Sequence, residues 1–277
     1  MGHKLRTTCV FFVAVTIMLV PQAFAGEKVE SEFGLTTSYY RYQEPNVMSL
    51  RAVNIGLNYI GTLVFQNDWF IRGDLAATIS GGAKYSSNGT GSMNNVKNWY
   101  TDIRALFGRN FEFKSSSLSP YAGFGYRYLD NNSEGMVTTT GNSGYRRASN
   151  YYYLPIGITH QVNLSSQSKL VTNIEFDYLT IGKQVNYFSD FSIVQTKYGK
   201  ILGRDITNTQ KKGYGARFST MCQINNWLIG PYLTYWRINT SDGVVVPTID
   251  TNNSVVYYEP KNNTIEAGLK ISYKLAE

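Results

Sequence analysis

Few side chains in this sequence could carry proton or metal chemistry. Its histidines are His3 and His160 and its cysteines Cys9 and Cys222, with no spacing that gathers His, Cys and carboxylates around a metal. Glu175 and Asp177 stand two residues apart, which on an extended strand puts both carboxylates on one face. Asp74 and Asp102 are placed to meet across neighbouring strands. A general acid and base built from two carboxylates needs one pKa raised. Arg72, Arg104, Arg127 and Arg217 are expected at the same depth, and nearby opposite charge keeps a carboxylate ionised. These acids therefore read as salt-bridge partners. No Walker loop and no glycine-rich dinucleotide fingerprint opens a helix. The expectation is a chain with no catalytic residue, no metal and no cofactor.

Composition bounds the elements that must position these charges. Of 277 residues, 43% are hydrophobic, 14% aromatic with 22 Tyr, and only 16% charged, against about 25% charged in an average soluble domain. That apolar content excludes disorder. Past the N-terminal segment no apolar run reaches the ~18–20 residues of a spanning helix, and two cysteines cannot make a disulfide scaffold. The formal charge is +7, yet the basic residues form no stripe on a regular surface, so nucleic acid is not expected as a partner.

The first 25 residues have the order of an export signal: Lys4 and Arg6, an apolar core over Cys9–Val20, and Pro21-Gln22-Ala23-Phe24-Ala25 ending small-x-small. Cleavage is expected after Ala25, leaving one domain over residues 26–277. Cys9 leaves with the signal, and the loss of Lys4 and Arg6 takes the charge from +7 to +5 (7 − 2).

In the remainder the hydrophobic period is two. Alternating segments run over Phe33–Tyr42, Arg51–Val64, Trp69–Tyr85, Asn98–Phe113, Ser119–Asp130, Asn150–Leu164, Lys169–Phe188, Gly213–Asn225, Trp227–Thr240 and Thr264–Leu275. They number ten and exceed the ~5–6 residues of a mean strand; a tilted strand needs about 9–11 to cross a bilayer. Short links (Phe65–Asp68, Lys114–Leu118, Ser165–Ser168, Asn225-Asn226) alternate with long ones (Gln43–Leu50, Ser86–Lys97, Asn131–Ser149, Ser189–Lys212, Ser241–Asn263). Tight turns at one end and longer loops at the other are the pattern of an outer-membrane barrel. The fold class is all-β: a closed antiparallel transmembrane β-barrel of about ten strands. Eight or twelve stay open, since two segments are long and Val244–Val246 with Val255–Tyr258 could form a projecting hairpin.

Each strand pairs an apolar face with a polar one. The polar faces collect Arg72, Asp74, Asp102, Arg104, Arg127, Glu175, Asp177, Arg217, Arg237, Glu266 and Lys270 at mid-strand, six basic and five acidic. Charge at mid-membrane depth must pair or face water, so these residues are expected inside the barrel as an ionic network. Outward aromatics are expected as two girdles at the membrane interfaces. Trp99, Tyr126, Tyr128, Tyr152, Tyr214 and Trp236 belong to the long-loop end, and Trp69, Phe111, Phe113 and Tyr273 to the short-turn end. Inner glycines (Gly34, Gly56, Gly125, Gly157, Gly215, Gly268) could leave a thread of water.

As architecture the whole mature chain resembles the small outer-membrane β-barrels of Gram-negative bacteria. The stretch Ser119-Pro120-Tyr121-Ala122-Gly123-Phe124-Gly125-Tyr126-Arg127-Tyr128 is similar to a Pro-Tyr-x-Gly-x-Gly strand common in that superfamily. The resemblance implies a bacterial outer-membrane location, contact with outer-membrane lipid and lipopolysaccharide, and barrel-assembly machinery as a partner in biogenesis. These barrels usually end in an aromatic residue; here Tyr273 or Leu275 serves instead, or the assembly cue is weaker. Ten strands also invite comparison with the omptin proteases, which use an Asp–His pair and an Asp pair near the extracellular rim. His160 falls at the other end and faces outward, so that activity is not carried over, nor is that of lipid A-modifying barrels with a Ser–His site.

The functional expectation is a non-enzymatic surface barrel with a side-chain-filled ionic interior, whose loops bind an extracellular ligand or whose wall serves a structural role. A narrow porin-like channel for small solutes or ions is the alternative, and an outer-membrane hydrolase ranks third. Loop cations Arg146, Arg147, Lys197, Lys200, Arg204, Lys211 and Lys212 are candidate contacts for lipopolysaccharide phosphates.

Overall fold

Alternation of the kind seen here leaves a strand with one face for hydrocarbon and one for polar partners, and a closed sheet satisfies both without an exposed edge. The computed structural model describes residues 27–196 and 198–275; the signal segment and Lys197 lie outside them. Ten strands form the wall: β1 (Lys28–Glu44), β2 (Met48–Val64), β3 (Trp69–Ser80), β4 (Gly91–Arg109), β5 (Ser116–Asn132), β6 (Arg146–Asn163), β7 (Ser168–Asn186), β8 (Gly213–Ile224), β9 (Trp227–Ile238) and β10 (Asn262–Leu275). Each pairs antiparallel with its sequence neighbours, and β1 pairs with β10 from Ser31↔Leu275 to Gln43↔Asn263, closing the cylinder. The count is ten. No helix is present among the described residues.

Turn chemistry explains the short-turn end. Asn225-Asn226 joins β8 to β9, and Asn225 adopts φ 52°, a left-handed conformation that asparagine tolerates better than most residues. Asp68 does the same before β3, at φ 67°.

At the other end the strands outrun the membrane. β4 and β7 have 19 residues each, about twice what a bilayer requires. Two of the expected long loops are therefore continuations of the wall. Gln43–Leu50 reduces to a tight turn between β1 and β2, and Ser86–Lys97 to a hairpin in which Ala83–Ser87 prolongs β3 between β2 and β4. Beyond β7, Ile206–Gln210 returns along the strand it left, with Ile206 opposite Asn186 and Gln210 opposite Gly182. Two hairpins top the barrel, Ile193–Thr196 with Gly199–Leu202 and Val244–Pro247 with Ser254–Tyr257.

The outer belt is apolar: Leu35, Ile55, Leu57, Ile71, Phe124, Ile156, Ile174, Phe218 and Leu269 are all exposed, while Asp74, Asp102, Arg127, Glu175, Asp177 and Glu266 are buried inside. Apolar outside and charged inside is the reverse of a water-soluble domain.

Candidate functional site

The register sets charges of opposite sign beside each other on the inner wall. Asp74 stands opposite Arg104, Asp102 opposite Arg127, and Glu175 opposite Arg217. Arg104 bridges Asp74 at 2.6 Å and Glu175 at 2.5 Å. Arg217 reaches Asp177 at 2.7 Å, Asp102 at 2.9 Å and Glu175 at 3.1 Å. Arg72 lies 2.9 Å from Asp74. Tyrosine hydroxyls complete the layer, Tyr153 donating to Asp102 and Tyr121 to Glu175. Asp74, Asp102, Glu175 and Asp177 thus each have a fixed cationic partner.

Three members of the expected network sit differently. Among the described residues no cation comes within ion-pair distance of Glu266; Ser38, Tyr100 and Tyr232 donate hydroxyls to it at 2.6, 2.6 and 3.0 Å. Lys270 pairs at 2.8 Å with Glu32, toward the short-turn end. Arg127 does not engage Asp102 across the ladder but lies over the rings of Tyr100 (4.5 Å) and Trp236 (5.7 Å), a cation–π arrangement strengthened by desolvation.

Trp236 and Arg237 exchange the faces expected of them. Trp236 is buried at 3% exposure, edge-on to Tyr153, whereas Arg237 is exposed on the outer side. Trp236 is thus an interior residue rather than part of the girdle, and Arg237 does not belong to the ionic network. The cause is the parity of β9, where Ile229, Pro231 and Leu233 look outward, so position 237 must as well.

Glycine explains how the rings fit. Gly125 is register partner of Tyr153, Gly157 of Tyr121 and Gly215 of Trp236. A β-carbon added to these glycines would come within 2.1, 2.4 and 2.8 Å of the opposing ring. These inner glycines therefore make room for aromatic side chains and leave no thread of water there. Tyr153 and Trp236 pack with Tyr151 and Leu179, and Arg127 joins them to Tyr100 and Tyr40 by lying over the Tyr100 and Trp236 rings; all seven are at most 9% exposed, and this inner layer is termed the septum. Arg72, Arg104, Arg217 and Lys270, on its short-turn side, keep 16–17% of their side-chain surface accessible.

The girdle positions carry paired rings. Trp99 packs on Tyr128 (5.2 Å), Tyr126 on Tyr152 (5.0 Å) and Phe176 on Tyr214 (6.0 Å) toward the loops. Trp69 stacks on Phe107 (4.7 Å) and Trp227 meets Tyr273 (4.9 Å) near the short turns. Phe111 and Phe113 are exposed at that same end. His160 is exposed, opposite Leu118 and Thr172, near the end of β6.

Above the septum the loops fold into a cap. Phe188, Ile201, Ile206, Val246 and Val255 form its core, and backbone hydrogen bonds tie one loop to the next: Asn88 to Val47, Thr139 to Ser92, Tyr187 to Arg146, Ile249 to Lys200. Lys200, Arg204, Lys211 and Lys212 are exposed on it, with Lys211 2.5 Å from Asp242. Arg146 is half-exposed and holds Asp130 at 2.6 Å. Arg147 departs from expectation. It is turned inward between Glu44 (2.5 Å) and Glu259 (2.8 Å), because adjacent residues of a strand face opposite ways, and it cannot meet lipopolysaccharide. Burial pushes the Tyr145 phenol up to about 12; Arg147 opposes the shift and Glu259 and Glu44 add to it. Sequence reasoning missed Glu44 and Glu32, on wall segments taken for loop or lying before the first alternating run, and Glu259, in the link between the last hairpin and β10.

Among solved structures the chain is similar to the outer membrane protease OmpT of Escherichia coli, with a TM-score of 0.58 and 11% identity over 91% of this chain and 98% of that one. It is also similar to the translocator domain of the autotransporter NalP of Neisseria meningitidis (TM-score 0.41, 9% identity, 94% and 92% covered) and to Ail, the attachment invasion locus protein of Yersinia pestis (0.32, 13%, 90% and 99%). No protein-family profile matches the chain, and neither does any curated protein. The fold is that of the Gram-negative outer-membrane β-barrels. At these identities the likeness extends to architecture alone.

Proposed function

We propose that this outer-membrane barrel is a non-enzymatic surface protein: a closed scaffold that presents a folded loop cap for binding outside the cell, with Lys200, Arg204, Lys211 and Lys212 available to anionic lipopolysaccharide groups. The observation that carries this reading is the septum of Tyr40, Tyr100, Arg127, Tyr151, Tyr153, Leu179 and Trp236, none more than 9% exposed. A barrel of this strand number has an interior that side chains can fill, whereas wide aqueous pores need about 16–18 strands. The pairing of Asp74, Asp102, Glu175 and Asp177 with arginines and the outward His160 support the non-enzymatic part. Planar-bilayer recording of the purified barrel is the test. No stable conductance steps are expected; large, reproducible steps would overturn it.

The second reading is a narrow channel, favoured by the accessibility that Arg72, Arg104 and Arg217 retain below the septum. It requires the septum to move. Under that reading Arg217→Gln changes ion selectivity; under the first there is no current to change.

A further inference from the structure

The outer wall carries a charge pattern of its own, which the inner network does not explain. On β1 and β2 the apolar belt ends at Tyr39 and Val53, which stand opposite each other and are exposed. The next outward row is Arg41, Arg51 and Lys84, with Arg41 opposite Arg51 and Arg51 opposite Lys84 on the continuation of β3. Beyond it the outward row is Gln43, Ser49 and Ser86. Three cations thus occupy consecutive strands at the level where the wall turns from apolar to polar. Their chain neighbours Tyr40, Leu50, Ala52 and Ala83 are buried in one inner cluster, and alternation along a strand then points the cations outward. Arg51 and Lys84 are exposed, and Arg41 is partly covered.

No carboxylate answers this row. Arg41, Arg51 and Lys84 make no side-chain hydrogen bond or ion pair with any described residue, and Arg41 Nε is buried without a partner. The acids of the surrounding strands are turned inward and engaged there: Glu44 by Arg147, Asp74 by Arg72 and Arg104, and Glu266 by three hydroxyls. Residues opposite each other on an antiparallel ladder have Cα atoms about 4.5–5.5 Å apart, so the row gathers three cations within about 10 Å. Like charges directly opposite each other are destabilising, and a shared anion removes that cost. At the edge of the apolar belt the anions within reach are lipid headgroups. Two guanidinium groups and an ammonium suit a phosphate, the guanidinium as a planar fork and the ammonium as a point charge.

We propose that Arg41, Arg51 and Lys84 form a binding site for the phosphate of an outer-leaflet lipid, whose acyl chains lie along Tyr39, Val53 and Ile55 below. The site is on the wall of β1 to β3 and is distinct from the cations of the cap. It requires the loop end of the barrel to face outward and is independent of the closed septum, so a conducting barrel would leave it standing. A bound phosphate relieves the repulsion within the row, and its occupancy stabilises this side of the rim.

The test titrates the folded barrel in maltoside micelles with phosphatidic acid and counts retained lipid by native mass spectrometry. One arm substitutes oleic acid, an anionic lipid without phosphate, and another adds inorganic phosphate as competitor. Saturable retention of phosphatidic acid is expected, tighter than that of oleic acid and not displaced by inorganic phosphate. Arg51→Gln is expected to weaken it about fivefold, the loss for one charge about 4 Å away in a water-like medium. Lys183→Gln serves as control and should change nothing, since Lys183 is an exposed cation of β7 whose cross-strand partners are Asn150 and Thr209. Arg51→Glu sets an acid between Arg41 and Lys84. It should abolish retention and yet raise the urea midpoint of unfolding in micelles free of phosphatidic acid, a pair of effects that no folding defect can imitate. Equal retention by the parent, Arg51→Gln and Arg51→Glu, a loss in Lys183→Gln as large as in Arg51→Gln, or oleic acid held as tightly as phosphatidic acid would overturn the proposal. Displacement by inorganic phosphate would overturn it too, assigning the row to the free ion.

Discussion

Arg217→Met isolates the energetics of the inside-out core. Arg217 holds three carboxylates, but they depend on it unequally. Glu175 keeps Arg104 and the Tyr121 hydroxyl, and Asp102 keeps the Tyr153 hydroxyl, whereas Arg217 is the only cation within ion-pair distance of Asp177 among the described residues. Methionine fills much of the arginine stem's volume, so the main loss is one buried carboxylate stripped of its partner, about 3–5 kcal/mol. Adding Asp177→Asn removes that orphan charge, and the double variant should regain about 1–3 kcal/mol relative to additivity. Lys211→Met breaks the exposed pair with Asp242 and should cost only about 0–1 kcal/mol. Urea unfolding of the refolded barrel in lipid vesicles, followed by tryptophan fluorescence, reads all three. If Arg217→Met costs no more than Lys211→Met, or if Asp177→Asn restores nothing, the ionic interior does not have the role assigned to it.

Other positions give sharper local tests. Gly157→Ala drives a β-carbon to 2.4 Å from the Tyr121 ring and is expected to destabilise by about 1–3 kcal/mol, whereas Gly89→Ala, with nothing within 4 Å, should unfold at the parent urea concentration. Trp236→Ala should cost about 3–5 kcal/mol as a buried large-to-small change, and Arg237→Gln within about 0.5 kcal/mol as a surface one; the reverse ranking in urea would restore the opposite facing of β9. The Tyr145 phenol titrates higher in the folded cap than in the unfolded chain, so its contribution to stability is intact below pH ~10 and is lost as pH rises toward about 12. Tyr145→Phe should therefore flatten the alkaline limb of the stability curve, and an unchanged limb would count against that environment.

The ten strands were legible because hydrocarbon outside and charge inside impose strict alternation on every segment, as in Ile265 to Tyr273 against Glu266 to Lys274. The placement of Asp74, Arg104, Glu175 and Arg217 followed from the same parity. What escaped were features that parity at membrane depth does not reach. Strands were cut to the thickness of a bilayer, so Arg147 and Glu44 passed for loop residues, although alternation continues through both. At Trp236 and Arg237 an aromatic and a long cation stand side by side near the interface, and either can be accommodated there on the outside. The signal that could have decided it lies on the neighbouring strand, where Gly215 offers an inner notch only a large ring fills. Asn186, Asn208 and Gln210 carry no charge and so left no mark on the charge pattern, and Ile206–Gln210, with one apolar residue in five, offered no alternating run to mark it as a strand.

The account stands on which faces of these strands meet lipid, and quenching by lipids brominated along their acyl chains measures that directly. Single-tryptophan forms of the folded barrel in such bilayers should show Trp99 and Trp227 strongly quenched, since both are exposed on the outer belt, and Trp236 nearly untouched at 3% exposure. Quenching of Trp236 as strong as that of Trp99 and Trp227 would contradict the inside-out barrel described above.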